Sequence, residues 1–203
     1  QIITSPIEHH ATLHCAEYVA KCQNINLNYV ALDENGHVIL EDLERLLAAH
    51  DGRTLVTLMH ANNEIGNLLN VNAVGEICKK YNAIFHCDMV PTVGHYNINL
   101  KELPVHFISS AGHKLHGPKG VGVLYVNEDV QVKPFIQGGA QERNMRAGTE
   151  NLYGIVGYAK ALELAMSNYE QDKAYVSGLR NYMINALQEQ IPEVTFNGDW
   201  NGE

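Results

Sequence analysis

Residues 109–122 read Ser-Ser-Ala-Gly-His-Lys-Leu-His-Gly-Pro-Lys-Gly-Val-Gly and connect two apolar segments, 105–108 and 121–126. The apolar segments are typical of buried strands, and the glycines and proline between them predict a turn. Lys114 lies directly after the first predicted strand. Burial disfavours a charged amine, so we expect Lys114 to be partly neutral and able to form a Schiff base with a carbonyl group. A solvated lysine in a loop is the alternative interpretation.

Strands and helices alternate on the N-terminal side of this stretch. The predicted strands cover residues 25–32, 54–60 and 83–87, and the predicted helices cover residues 6–22, 41–49 and 71–81. The first helix is predicted from Ser5 at its N-cap, Pro6 at its first position and Glu8 as the partner in a capping box. Alternation at these intervals predicts βαβ units, a mostly parallel sheet and the α/β fold class.

Three predicted strands are followed by polar side chains. Asn62 and Asn63 follow the strand at 54–60, Asp88 follows the next strand, and His113 and Lys114 follow the third. The carboxyl ends of parallel strands share one edge of a sheet, where ligands bind, so we expect these side chains to converge on one pocket.

Pyridoxal phosphate (PLP) needs the side chains that these positions offer. Lys114 can hold an aldehyde, Asp88 can keep a pyridine nitrogen protonated, and Asn63 can hydrogen-bond a ring hydroxyl. His9 is predicted near a helix N-terminus, where partial positive charge favours a neutral imidazole that can stack on another ring. A partly exposed histidine at a helix start is the structural alternative for His9.

Composition narrows the functional class. The chain has 203 residues, with 14 Lys and Arg against 23 Asp and Glu, and its net charge of −9 argues against a nucleic-acid partner. It contains no apolar run of membrane-spanning length and no segment typical of a signal peptide, so no membrane partner is predicted. These features predict a soluble cytoplasmic protein with a small-molecule ligand.

Cysteines and histidines do not form a recognisable metal motif. Cys15 and Cys22 are seven residues apart on one predicted helix, which is too far for a disulfide, and we interpret all four cysteines as reduced thiols. His10 and His14 are four residues apart but lack the glutamate that follows the first histidine of a zinc protease. A metal site remains the alternative to the PLP pocket, and we predict none.

Four motifs carry a family resemblance: Met-His-Ala-Asn-Asn-Glu-Ile-Gly (59–66), Phe-His-Cys-Asp (85–88), Ala-Gly-His-Lys-Leu-His-Gly-Pro-Lys-Gly (111–120) and Gln-Glu-Arg-Asn-Met-Arg-Ala-Gly-Thr-Glu-Asn (141–151). In this order and spacing the chain resembles the cysteine desulfurases of the NifS and IscS type and the related selenocysteine lyases, in the class V aminotransferase group. The resemblance covers essentially the whole chain.

The resemblance implies the large domain of a PLP-dependent transferase of the aspartate aminotransferase-like fold, truncated at both termini. Residues 1–150 would form a partial PLP-binding large domain whose N-terminal part is missing. Residues 151–191 would form a long connecting helical region, and residues 192–203, with a strand near 194–196, would begin the missing C-terminal small domain.

The resemblance also implies roles for individual residues. Lys114 would bind PLP covalently and His9 would stack on its ring, which makes these two the catalytic candidates. The other implied cofactor ligands are Asp88 at the pyridine nitrogen, Asn63 near the ring oxygen, His113 at the phosphate, and Thr149 at the phosphate of the neighbouring subunit. The implied reaction converts L-cysteine to L-alanine and transfers sulfur to a protein persulfide for iron–sulfur cluster or thio-cofactor assembly. The implied partners are a second subunit in a homodimer and a sulfur-acceptor protein.

Two positions depart from the family pattern. Pro91 stands where the family has a glutamine on the ring oxygen, and Ala111 stands where it has a serine on the phosphate. The family's glycine–threonine phosphate loop would precede residue 1, and its persulfide cysteine and carboxylate-binding arginine would lie beyond the C-terminal end. We therefore expect this fragment to be inactive by itself. Another class V aminotransferase or lyase, or a degenerate member with a binding role, remains an alternative.

Overall fold

A six-stranded sheet forms the centre of the computed structural model, which describes residues 1–198 and 200. The strands are β1 (Ile2–Thr4), β2 (Leu27–Tyr29), β3 (Leu55–Met59), β4 (Ile84–Asp88), β5 (Phe107–Ala111) and β6 (Gly122–Val126). Their order is β2-β1-β3-β4-β5-β6, with neighbours parallel except for β6, which is antiparallel to β5. The predicted α/β class with a mostly parallel sheet is confirmed.

Four α-helices accompany the sheet in the described part of the chain: α1 (His10–Gln23), α2 (Leu40–Ala48), α3 (Val71–Lys80) and α4 (Leu152–Gln190). Short 3₁₀ helices cover Gly112–Leu115 and Glu142–Asn144. No described helix combines the length and the apolar character needed to cross a membrane.

The two faces of the sheet pack against different helices because side chains alternate along each strand. One face supplies Ile3, Val56 and Phe85 to a core shared with α2 and α3, in which Leu43 and Val74 are fully buried. The opposite face packs a smaller apolar cluster against α1. Asp88 follows the fully buried Cys87, so its side chain points toward the face that α1 covers.

The prediction that α1 begins at Pro6 is wrong, because the helix begins at His10. Ser5 does not cap backbone N–H groups. Its hydroxyl donates to Glu8 Oε1 at 2.6 Å, and this side-chain pair replaces the predicted capping box. The cap is His9, whose Nδ1 accepts a hydrogen bond from the Ala11 N–H at 3.1 Å.

Two predicted strands also differ from the structure. The strand predicted over residues 25–32 is shortened to β2, and residues 194–196 form no strand within the described residues. A favourable residue pattern does not by itself make a strand, which also needs pairing, and residues 194–196 pair with no strand among the described residues. The predicted start of a small domain at 192–203 stays a prediction, and its residues 199 and 201–203 lie outside the described residues.

Candidate active site

The buried carboxylate of Asp88 lies at the carboxyl end of β4, with 4% of the residue exposed. Its Oδ1 accepts a hydrogen bond from the Val90 N–H at 3.0 Å, and its Oδ2 accepts one from the Thr12 hydroxyl at 3.2 Å. Among the described residues, no lysine or arginine forms an ion pair with it. A buried carboxylate is costly without a cation. This edge of the sheet therefore suits a small cationic group.

His9 lies at the start of α1, and its ring is exposed. Its Nδ1 accepts the capping hydrogen bond from Ala11, so this nitrogen carries no proton and the proton of the neutral ring is on Nε2. One turn further along α1, the Thr12–Asp88 hydrogen bond fixes the first turn beside the carboxylate. His9 thus caps the helix whose first turn contacts Asp88, and its ring is exposed.

The loop after β3 is fixed by Asn62, which is buried. Its Nδ2 donates to the Ile7 carbonyl at 2.6 Å, and its Oδ1 accepts from the N–H groups of Glu64 and Ile65 at 2.8 and 3.0 Å. Asn63 itself is exposed and donates to Glu64 Oε1 at 2.8 Å. The loop that carries Asn63 is thus tied to the segment that carries His9.

Lys114 belongs to the 3₁₀ helix that directly follows β5. Its side chain is exposed, so the burial expected from the apolar residues before it is wrong. The backbone around it is well fixed: Leu115 is buried, and the ring Nε2 of His95 hydrogen-bonds the Lys114 carbonyl at 2.9 Å. A β-carbon at Gly112 would approach the Pro118 carbonyl to 2.9 Å, which explains the glycine at this position.

No neighbouring serine replaces the hydroxyl that Ala111 lacks. The Ser110 hydroxyl points to the opposite face of β5, where it lies 2.7 Å from the hydroxyl of Tyr158 on α4. The Ser109 hydroxyl shares the face of Ala111 but is bonded to His86 Nε2 at 2.8 Å. The end of β5 therefore presents no free serine hydroxyl to a phosphate.

The remaining predicted positions lie on loops. His113 and Thr149 are exposed, His113 beside Lys114 and Thr149 in the segment before α4. Pro91 lies in the turn after β4, where the buried Thr92 hydroxyl bonds His60 Nδ1 at 2.9 Å. The family resemblance implies that Thr149 contacts a neighbouring subunit's cofactor, and this role stays a prediction.

Glu8, which the sequence analysis interpreted only as a capping residue, is a buried carboxyl with 5% of the residue exposed. Its pKa is raised from 4.5 to about 7, chiefly by burial and in smaller part by the negative charge of Asp88, against the hydrogen bonds from the Ser5 hydroxyl and the Met59 backbone, which lower it. Sequence analysis also missed Thr12, and it placed Asn62 at the strand end without predicting the hydrogen bonds that Asn62 makes. Thr12 lies one turn after His9, and Asn62 directly precedes Asn63, so the positions of both residues drew attention in the sequence. The sequence does not show which groups their side chains bond.

The buried cysteines are poor nucleophiles. Burial raises the pKa of the Cys78 thiol to about 12 and that of the Cys87 thiol well above its usual value. Cys15 and Cys22 are exposed on α1. Burial also lowers the pKa of His86, which the negative charge of Asp88 partly counteracts.

The strand register brings these elements to one edge. Met59 pairs with Asp88 and Asp88 pairs with Ser109, so β3 and β4 end side by side and β5 continues beyond them to Ala111. These residues fit the ring of PLP: Asp88 is a buried carboxylate without a lysine or arginine partner among the described residues, His9 caps the helix whose first turn contacts Asp88, and Lys114 follows the adjacent strand. They fit its phosphate less well, because Ala111 supplies no hydroxyl.

Comparison of the sequence with known proteins finds a matching family and curated relatives. The model of the aminotransferase class-V family matches residues 1–202. A curated relative named cysteine desulfurase IscS, from Clostridium botulinum, is 44% identical over 197 residues, covering 97% of this chain and 49% of that protein. The chain spans about half the length of the curated relatives it matches.

Solved structures share the fold. The NifS-like protein from Rickettsia africae superposes with a TM-score of 0.88 at 32% identity, covering 97% of this chain and 55% of that one. A structure described as SspA in complex with cysteine superposes with a TM-score of 0.74 at 30% identity, covering 80% of this chain and 46% of that one. The predicted PLP-dependent transferase fold is confirmed by these similarities.

Proposed function

The chain belongs to the class V aminotransferase family, and on that basis we propose that it is the PLP-binding part of a cysteine desulfurase. The whole protein would convert L-cysteine to L-alanine and leave the sulfur as a protein persulfide. Relatives named cysteine desulfurase support this activity. The observation that carries the proposal is Asp88, a buried carboxylate at the ligand-binding edge of the sheet without a lysine or arginine partner among the described residues.

Each predicted residue has a task in this proposal. PLP, when bound, supplies an electron-withdrawing ring that stabilises negative charge at the α-carbon of an amino acid. Asp88 would hold a proton on the pyridine nitrogen, and His9 would pack on the ring face through its neutral imidazole. Lys114 would hold the cofactor through its amine and move the proton at the α-carbon. Asn63 would hydrogen-bond the ring oxygen, and His113 would contact the phosphate.

The exposure of Lys114 is compatible with this role. A lysine that must reach a ligand needs a mobile side chain on a fixed backbone, and Leu115 and His95 fix the backbone here. A bound ring would cover the amine. The desolvation expected from the sequence would then come from the cofactor and from parts of the protein outside this chain.

We propose that this chain by itself does not complete sulfur transfer. Cys87 points into the core on the face opposite to Asp88, and Cys78 is buried on α3. Cys15 and Cys22 lie along α1, beyond its first turn. The persulfide cysteine would therefore belong to another part of the protein.

Further proposals concern partners and location. A homodimer, in which Thr149 contacts the partner's phosphate, is supported by exposed apolar side chains at the start of α4, including Leu152, Tyr153 and Val156. A sulfur-acceptor protein, iron–sulfur cluster or thio-cofactor assembly, and a cytoplasmic location follow from the same family resemblance. The four cysteines without disulfides are in keeping with a reducing compartment.

A second candidate is a class V enzyme that acts on a different amino acid. Pro91 and Ala111 favour it, because both remove a cofactor contact that the resemblance implies. Adding PLP to the purified protein and recording the absorbance band of a protein-bound imine tests cofactor binding. Adding L-cysteine, L-alanine or a bulkier amino acid to the loaded protein then tests the substrate. A response confined to an amino acid other than L-cysteine would favour the second candidate, and the absence of any band would favour a non-catalytic member.

A further inference from the structure

Helix α4 packs closely against the segment that carries Lys114. A β-carbon at Gly157 would approach Pro118 Cγ to 2.5 Å, and a β-carbon at Gly117 would approach Ala161 Cβ to 3.2 Å. Gly157 and Ala161 lie four residues apart and therefore share one face of the helix. The backbone of α4 is thus in close contact with the turn that follows Lys114.

Tyr158 is the residue of α4 that reaches the segment before Lys114. Only 7% of the residue is exposed, and a β-carbon at Gly112 would approach its Cδ2 to 3.2 Å. Its hydroxyl lies 2.7 Å from the hydroxyl of Ser110, so one of the two donates to the other. Ser110 belongs to β5, and Gly112 begins the 3₁₀ helix that contains Lys114. Tyr158 therefore contacts both sides of the junction between the strand and the 3₁₀ helix.

The hydroxyl of Tyr158 adds a directional contact to the packing of its ring. A buried tyrosine hydroxyl normally has a hydrogen-bond partner, and a hydrogen bond between neutral groups changes an equilibrium by roughly fivefold. The amides of two glycines report whether the segment opens: the Gly112 N–H donates to the Val121 carbonyl at 3.0 Å, and the Gly117 N–H donates to the Gly112 carbonyl at 2.8 Å. These two hydrogen bonds close the loop around Lys114, so the exchange rates of both amides measure how firmly it is held.

We propose that Tyr158 is a positioning residue for Lys114. Its hydroxyl bond to Ser110 and the packing of its ring on Gly112 hold the 3₁₀ helix at the end of β5, and the amine of Lys114 then extends toward the ligand from a fixed backbone. Tyr158 acts on the side of the segment that α4 covers, whereas His95 bonds the Lys114 carbonyl from the turn after β4. The benefit to a cofactor rests on the proposed function, but the contact itself does not.

Amide hydrogen exchange in the cofactor-free protein, combined with a double-mutant cycle, tests the contact. Tyr158→Phe and Ser110→Ala each remove one hydroxyl, and each should raise the exchange rates of the Gly112 and Gly117 amides about fivefold. Because both variants remove the same hydrogen bond, the double variant should exchange no faster than the faster single variant. The control is Tyr175→Phe, which removes an exposed hydroxyl on α4 and should match the wild type. Exchange rates that stay unchanged in either single variant, or effects that multiply in the double variant, would overturn the proposal.

The site of imine formation tests whether the contact positions Lys114 or only stabilises the fold. Borohydride reduction of the PLP-treated protein, followed by peptide mass spectrometry, gives the ratio of adduct on Lys114 to adduct on Lys79, an exposed lysine of α3. Tyr158→Phe should lower this ratio at least about twofold, because the backbone is in the binding-competent position for a smaller fraction of the time, and Tyr175→Phe should leave it unchanged. An unchanged ratio in Tyr158→Phe would overturn the positioning role. If the wild type forms no adduct on Lys114, the proposed function fails, while the exchange rates still decide whether Tyr158 holds the segment.

Discussion

Replacing Glu8 by glutamine should change the pH dependence of stability. The pKa of Glu8 rises from 4.5 to about 7 in the folded protein, chiefly because the carboxyl is buried. Below pH 4.5 the carboxyl is protonated in both states and costs nothing. As the pH rises from 4.5 to about 7, only the unfolded chain loses the proton, so the folded state loses stability. Above pH 7 the loss is complete.

The size of this change in stability follows from the difference of about 2.5 between the pKa values of Glu8 in the folded and unfolded states. At 1.36 kcal/mol per unit, ionisation of Glu8 costs about 3 kcal/mol of the free energy of unfolding. Glu8→Gln cannot ionise and does not incur this cost. The free energy of unfolding of Glu8→Gln minus that of the wild type should therefore increase by about 3 kcal/mol between pH 4 and pH 8.

Urea unfolding followed by circular dichroism at intervals of half a pH unit measures this difference. Any imperfect fit of glutamine adds a constant offset, so the change with pH is the diagnostic quantity. The control is Glu76→Gln, because Glu76 is exposed on α3 and should give a flat difference. A flat difference for Glu8→Gln, or one that falls with pH, would refute the view that burial keeps Glu8 neutral.

Three further outcomes are expected. Asp88→Asn should weaken PLP binding at least about tenfold in a fluorescence titration, because a charge-assisted hydrogen bond is worth about 1.5–3 kcal/mol; unchanged affinity would remove Asp88 from the ring site. Ala111→Ser should strengthen PLP binding several-fold by supplying the missing hydroxyl at the end of β5, and a loss of affinity would mean that the phosphate lies elsewhere. Alkylation at pH 8 followed by mass spectrometry should label the exposed Cys15 and Cys22 and spare Cys78 and Cys87, whose thiol pKa values are raised by burial; rapid labelling of Cys87 would contradict its burial.

The sequence predicted the sheet well because strand and helix periodicity are local signals. Polar residues lie at or directly after the carboxyl ends of three parallel strands, and the pairing of Met59 with Asp88 and of Asp88 with Ser109 confirms that these strands are neighbours there. The resemblance to the cysteine desulfurases and the polar residues at the strand ends indicated the same edge of the sheet as the ligand site. The grouping of Asp88 with the start of α1 was therefore accessible from the sequence.

Side-chain partners were much less accessible. The residues Ser5-Pro6-Ile7-Glu8 match a capping box in sequence, but the Ser5 hydroxyl bonds the Glu8 carboxyl and the helix begins four residues later than predicted. Burial of a glutamate depends on tertiary packing, which no local pattern encodes. Lys114 shows the opposite error, since apolar residues before it suggested burial and its side chain is exposed.

Locating the covalent attachment of PLP tests the central claim most directly. Borohydride reduction of the PLP-treated protein converts an imine to a stable secondary amine, and peptide mapping by mass spectrometry identifies the modified lysine. We expect the adduct on Lys114 and its loss in Lys114→Ala, whereas Lys119→Ala, which removes another exposed lysine of the same loop, should retain it. An adduct that persists in Lys114→Ala at the wild-type level, or that maps mainly to other lysines, would contradict the assignment of this strand edge as a PLP site.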